Sequence, residues 1–361
     1  MPIMKIILFY IVLFFTLSET ALRFTWQSPY VSAYEGAYFH GKNKELTFSN
    51  VSKIYGSNDS VTFRTGSFGE IIGPISAEKA INNGSFNIAL GGSTTECALV
   101  PENKRWPDLL NLATLNFGKS SLNSSHTLEN LRYILNTYDL YPKKVFLMDG
   151  VNNLSAYLER GTDSLKDPEY TASIYKLALK KSYFMALLWS LIKRSDYLSF
   201  YKAEVINHSR YPLITDQEIS TFWQSNEIKI KETIKESLEK FSMLSKQKDF
   251  EIVVLSQPHF YALRIESEAL DLRTTPIIEN KRLSFKQASE FMDKYNEITL
   301  STAQQIGLSH FDVSKCLEKT NRSDLFYDAF HYTELGSIDF SRCLNSYLIP
   351  NRPVTPLDIS L

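Results

Sequence analysis

Three cysteines in 361 residues are too few for a disulfide-stapled scaffold. Cys97, Cys316 and Cys343 allow at most one bridge and an odd thiol, and with no CxxC or CxxxC spacing they offer no zinc cage. Charge of either sign is not in excess: 39 Lys and Arg stand against 40 Asp and Glu, a formal net charge of -1. No global field therefore draws the chain onto nucleic acid. The sequence has no HExxH and no GxxxxGK[ST], so neither a zincin nor a P-loop enzyme is supported. It shows no internal repeat. What is present, 43% hydrophobic and 22% charged residues, is an ordinary globular composition that argues against disorder and against a multi-span membrane protein.

One apolar run departs from that average. Ile6 to Leu17 reads IILFYIVLFFTL behind Lys5, shorter than the about 20 residues a full span needs and close to the core of a signal peptide. No A-x-A cleavage site follows, and the continuation from Ser18 to Trp26 completes a single span ending in an interfacial aromatic. Residues 1–26 are thus expected to be a membrane anchor or a cleaved signal, with the missing cleavage site favouring the anchor. Either way the positive N-terminal side predicts that the rest is exported.

Residues 27–84 are rich in Ser, Asn, Gly and Tyr, with short strand-like pieces such as Ser60 to Arg64, and read as an irregular lead-in. From residue 85 the pattern changes. Short apolar strands at Phe86–Leu90, Thr114–Phe117, Val145–Met148, Ile252–Leu255 and Leu308–Val313 alternate with helical stretches, which predicts an α/β fold: three layers around a central parallel five-stranded sheet. The domain is expected over 85–350, enlarged by a helical insertion at about 155–250. Ile230, Ile234, Leu238, Phe241 and Leu244 recur at helical steps and form the core stripe of a surface helix. Tyr183 to Ile192 (YFMALLWSLI) is too short to span a bilayer; it is expected to pack against the domain, with membrane-surface contact as the other reading.

In such a sheet the ligand crevice lies beyond the carboxyl ends of the strands. The first strand ends in Gly91-Gly92-Ser93, where the glycines permit a sharp turn and leave the serine hydroxyl exposed. After the second comes Gly118, and after the third Asp149-Gly150-Val151-Asn152, a backbone and a side-chain amide suited to an oxyanion. Near the end, Asp328 stands three residues before His331, at an offset that lets the carboxylate hold Nδ1–H and free Nε2. Each match alone also reads as a turn or a helix start. Of the other candidates, His126, near a helix start, reads as a partly exposed capping-region residue, with a place lining the pocket as the lesser reading. Trp106-Pro107 reads as a helix start, with Arg105 beside it as a lesser candidate for an anionic substrate. Thr65 to Gly69 fails as a G-x-S-x-G elbow because its first position is Thr.

Taken in this order, GGSTTE at 91–96, Gly118, Gly150/Val151/Asn152 and Asp328-Ala329-Phe330-His331 resemble the four blocks of the SGNH or GDSL hydrolase family, over roughly Phe86 to Ile349. The resemblance implies Ser93 as nucleophile, His331 as general base and Asp328 as its orienting partner. It implies an oxyanion hole made by the N–H groups of Ser93 and Gly118 with the Asn152 side chain, and neither cofactor nor metal. The function it suggests is a membrane-tethered serine esterase. Such an enzyme would remove a small acyl group, such as acetyl, from a cell-envelope glycan or a lipid. The alternatives are an O-acyltransferase using the same three residues and a non-catalytic glycan-binding or assembly protein on the same fold. Two departures stand out: Asn153 occupies a place where the family often has Asp, and about 175 residues separate the third block from the fourth.

Overall fold

The structure, a computed structural model, describes residues 2–25, 40–49, 60–161, 182–185, 187, 210–260, 276–320 and 322–349. In chain order its elements are α1 (Pro2–Thr25), β1 (Glu45–Ser49), β2 (Ser60–Arg64), α2 (Ala77–Asn82), β3 (Asn87–Gly91), α3 (Ser93–Glu96), β4 (Thr114–Asn116), α4 (Ser124–Thr137), β5 (Lys144–Met148), α5 (Val151–Arg160), α6 (Asp216–Lys248), β6 (Glu251–Leu255), β7 (Ile277–Ile278), β8 (Lys281–Arg282), α7 (Phe285–Gln305), β9 (Ser309–Phe311), α8 (Val313–Glu318) and α9 (Glu334–Leu348). Strands β4-β3-β5-β6-β9 form one sheet in that order, and every pairing in it is parallel.

The strands are apolar on both faces because helices cover both faces. Ile88, Leu90, Val145, Leu147, Ile252 and Val254 enter a core shared with α4, α6 and α7. Their neighbours Ala89, Phe146, Met148, Val253 and Leu255 enter a second core with α8, α9 and the buried Trp106. The period-two alternation of side chains thus divides the three inner strands, β3, β5 and β6, between two cores, giving three layers, α/β/α. The stripe from Ile230 to Leu244 lies buried along α6, whose first turn carries a capping box between Thr215 and Glu218.

Several local expectations change. The lead-in is less irregular than its composition: β1 pairs antiparallel with β2, and the Ile71 amide donates to the Asn116 carbonyl at 2.8 Å, covering part of the β4 edge. Residues 106–109 form turns rather than a helix. Their place is set by the Trp106 indole, which donates to the Thr94 carbonyl at 3.1 Å. Arg105 is fully buried, donating to the carbonyls of Cys97 at 3.3 Å and Ile72 at 3.2 Å beside Asp108; it has no face left for an anionic substrate. Cys316 and Cys343 form a disulfide between α8 and α9, and Cys97 is a buried free thiol.

At the N-terminus, Lys5–Thr25 within α1 is the one helix among the described residues long and apolar enough to cross a membrane, with a mean hydropathy of 1.8 and none of it buried. Of the apolar stretch 183–192, residues 183–185 and 187 are described and helical. Phe184 packs edge-on against Phe14 and Phe15, so this part meets α1 where packing on the domain was expected. Residues 188–192 lie outside the described residues.

Candidate active site

The carboxyl end of β3 builds the sharpest turn of the site. Gly91 has φ +153°, and a Cβ there would collide with the Met148 carbonyl on neighbouring β5; a Cβ on Gly92 would collide with the Asn152 amide. Only glycine lets the chain pass between these groups and start a helix at once. Ser93 is the first residue of that helix, α3, so its N–H has no acceptor within the helix. Its side chain is half-buried at the crevice.

The loop between Leu325 and α9 supplies the partners. Asp328 is fully buried. Its Oδ1 accepts from the amides of Phe330 at 2.9 Å and His331 at 2.8 Å. The His331 Nδ1 lies 2.9 Å from Oδ1 and 2.7 Å from Oδ2, which assigns the ring proton to Nδ1. Nε2 is then an acceptor, 2.7 Å from the Ser93 Oγ. A hydroxyl, an imidazole and a carboxylate 238 and 3 residues apart in sequence thus form one hydrogen-bonded line. The Tyr327 ring stacks on His331 at 5.5 Å between centroids and 12° between planes, restricting imidazole rotation. Stacking across a loop leaves no spacing signature, so nothing in the sequence marks this tyrosine.

Asn152, in the first turn of α5, presents Nδ2 beside Gly92 and donates one hydrogen bond to the Leu122 carbonyl at 2.9 Å. A primary amide has two donors, and the second remains available. Gly118 differs from its expected place. Its N–H donates to the Asn116 Oδ1 at 2.9 Å, and its Cα lies so close to the backbone of Thr95 and Glu96 that no Cβ fits. Glycine is needed there for close packing of strand end on helix, and its amide is already spent. The same turn brings Ser121 to φ +67°, next to the Leu122 carbonyl that anchors Asn152. Asn153, at the position of the departure, is buried and accepts from the Ser124 amide at 2.8 Å, tying α5 to α4.

Around this line the polar residues are bound into the fold. The Glu96 carboxylate is fully buried; despite that burial, His40 and the Ser120 hydroxyl hold it below the usual carboxylate range. The Thr94 hydroxyl donates to Gln257 Oε1 at 3.1 Å, joining α3 to the end of β6. His126 is buried rather than partly exposed, and its Nδ1 accepts from the Asn123 amide at 3.3 Å in the capping box of α4. It therefore belongs to the helix start and not to the crevice.

No protein-family model and no curated relative matches the chain. Solved structures similar to it include a member of the lipolytic protein G-D-S-L family from Veillonella parvula, 13% identical, covering 74% of this chain and 100% of that one with a TM-score of 0.39. An extracellular lipase from Streptomyces rimosus is 14% identical, with 73% and 99% covered and a TM-score of 0.40. An acetyl xylan esterase is 12% identical, with 73% and 100% covered and a TM-score of 0.40.

Proposed function

We propose that the protein is a serine esterase, held at a membrane by α1 with its catalytic domain on the extracytoplasmic side, that removes a small acyl group from a cell-envelope glycan or a lipid. The observation that carries this reading is the 2.7 Å contact from Ser93 Oγ to His331 Nε2, continued by Nδ1 to the buried Asp328. A lone turn or a helix-start aspartate would have no reason to meet a serine 238 residues away. The Cys316–Cys343 disulfide supports export, since such bridges persist in oxidising compartments.

In this reading the Ser93 oxygen attacks the ester carbonyl as its proton passes to His331 Nε2, and Asp328 stabilises the resulting imidazolium. Negative charge gathers on the former carbonyl oxygen, where the Ser93 N–H and the second Asn152 amide hydrogen receive it. Collapse breaks the ester C–O bond, and the alcohol leaves with the proton from His331. Water then repeats the sequence on the acyl-serine, returning the acid and the free hydroxyl. The Gly118 amide takes no part while Asn116 holds it.

The test is labelling of the full chain in detergent with a fluorophosphonate, alongside hydrolysis of a panel of acyl esters. Ser93→Ala is expected to lose the label and about 10⁶ in kcat, and His331→Ala to lose most of both. A wild type that is neither labelled nor active on any ester overturns the proposal.

A further inference from the structure

Glu19 is out of place in α1. It lies six residues before Thr25, about 9 Å along the axis from the end of the helix, inside the stretch with the hydropathy of a membrane span. A carboxylate at that depth needs partners. The helix supplies one, Arg23, whose Nε donates to Oε1 at 3.0 Å. The other partners come from a segment more than 160 residues away in sequence. The Tyr183 amide donates to Oε1 at 3.1 Å, and the Phe184 amide and the Ser182 hydroxyl donate to Oε2 at 3.0 and 2.9 Å.

The need is mutual. The amides of Tyr183 and Phe184 open a helical turn, and the first amides of a helix have no partner inside it. In hydrocarbon every such group must find an acceptor within the protein. Glu19 is that acceptor. The apolar side chains agree with this depth: Phe184 packs on Phe14 and Phe15 with centroids at 6.2 and 5.0 Å, one to two turns further into the span than Glu19. Arg23 lies over the Tyr183 ring at 5.4 Å, towards the end of the helix. Met185, next in the chain to Phe184, remains exposed, as do Phe14 and Leu17 on the helix that Phe184 packs against.

We propose that residues 182–185 and 187 are a second membrane contact, seated on the outer half of the α1 span with Glu19 as their helix cap, and that bilayer lipid covers Met185 and the exposed apolar face of α1. This rests on the reading of α1 as a retained span. In the chain the segment lies between α5, which carries Asn152, and α6. The chain that follows the candidate oxyanion donor therefore meets the bilayer at residues 182–185 and 187, which favours a membrane-borne ester, such as an acylated lipid or lipid-linked glycan, as the substrate.

The experiment uses the full chain in phosphatidylcholine and phosphatidylglycerol vesicles, with an environment-sensitive fluorophore on a single added cysteine. Native thiols do not compete, because Cys316 and Cys343 are bridged and burial pushes the Cys97 thiol up to about 12. Met185→Cys is the reporter, since it leaves the contacts of Phe184 and Glu19 intact. Leu13→Cys reports on the span, and Lys240→Cys on the exposed face of α6. The expected result at 185 is blue-shifted emission quenched by nitroxide-labelled lipid and protected from aqueous iodide, as at 13 and opposite to 240. Adding Glu19→Ala is expected to return the 185 probe towards iodide access while that at 13 stays lipid-quenched. A probe at 185 that behaves like 240 while 13 remains lipid-quenched overturns the second contact alone. If Glu19→Ala leaves the 185 probe in lipid, the capping role of Glu19 is wrong. A probe at 13 open to iodide shows instead that the anchor reading beneath the proposal has failed.

Discussion

Asp328 and Asp149 are two carboxyls that the fold surrounds in opposite ways. Asp328 accepts from two backbone amides and faces the His331 ring through both oxygens. Asp149, at the end of β5, accepts a hydroxyl from Thr127 at 3.0 Å on Oδ1, while its Oδ2 is buried without a hydrogen-bond partner among the described residues. Burial pushes the Asp149 carboxyl up to about 7, and the hydroxyls of Thr127 and Ser124 lower it only in part. A few residues separate each carboxyl from a group of the candidate site, yet one is wrapped by N–H donors and the other is left with weak ones. Donor count and type, rather than burial, decide which carboxyl is built to face an imidazolium.

The largest test of this contrast is Asp328→Asn. The amide keeps the shape of the side chain but turns N–H towards the His331 ring, so the imidazole is held in the tautomer that points a proton at Ser93. A loss of about 10³–10⁴ in kcat is expected with little change in KM, read from ester hydrolysis. A loss under tenfold would mean that His331 works without its carboxylate, and Asp328 would join Asp149 as a structural group.

A second, smaller test concerns the loop that shapes the Asp328 surroundings. A Cβ at Gly336 would collide with the Leu325 carbonyl, the same oxygen that accepts the Thr333 amide at 3.0 Å. Because the obstacle is backbone, Gly336→Ala must displace the loop carrying Asp328 and His331. It is expected to cost about 1–3 kcal/mol of stability, with kcat falling through misplacement of the ring. Thermal melting and turnover of the same preparation check both parts, and an unchanged melting temperature would show that the loop yields without strain.

Much of this was legible in the sequence, and what was not has identifiable reasons. Strands β3, β5 and β6 were readable because each is a short apolar run ending at a turn, whereas β9, Ser309–Phe311, lies at the sheet edge with half-buried and partly polar residues and gives a weaker signal. Spacing alone offered Asp328 and His331 as a pair; Ser93 joined them only through the resemblance of the ordered blocks to a known family, and the fold places the three in one line. The Gly118 amide was not readable, since the direction of an N–H depends on the turn, and Asn116 two residues earlier captures it. His126 was placed at a helix start, but its burial depends on packing that spacing does not record. The contact of residues 182–184 with α1 was outside reach for another reason: an apolar run of ten residues does not name its neighbour. A signal did exist in Glu19, an acid within an otherwise apolar helix that calls for a donor elsewhere in the chain.

The smallest test returns to Asp149 and turns on pH. An aspartate has an unfolded value of about 3.9, and in the fold Asp149 stands at about 7. Between those values the native state holds more protons than the unfolded chain, so this group's contribution makes stability fall as pH rises from about 4 to 7 and flatten above. Each pH unit in that window is worth at most about 1.4 kcal/mol. Asp149→Asn has no proton to lose and keeps an amide that can meet the same hydroxyls. The stability of the variant relative to wild type is therefore expected to rise with pH across the window and level off beyond it, as read by denaturant unfolding at several pH values. A constant difference would show that the Asp149 carboxyl ionises normally inside the fold. Some donor other than the hydroxyls would then have to reach Oδ2, and the contrast with Asp328 would rest on the histidine alone.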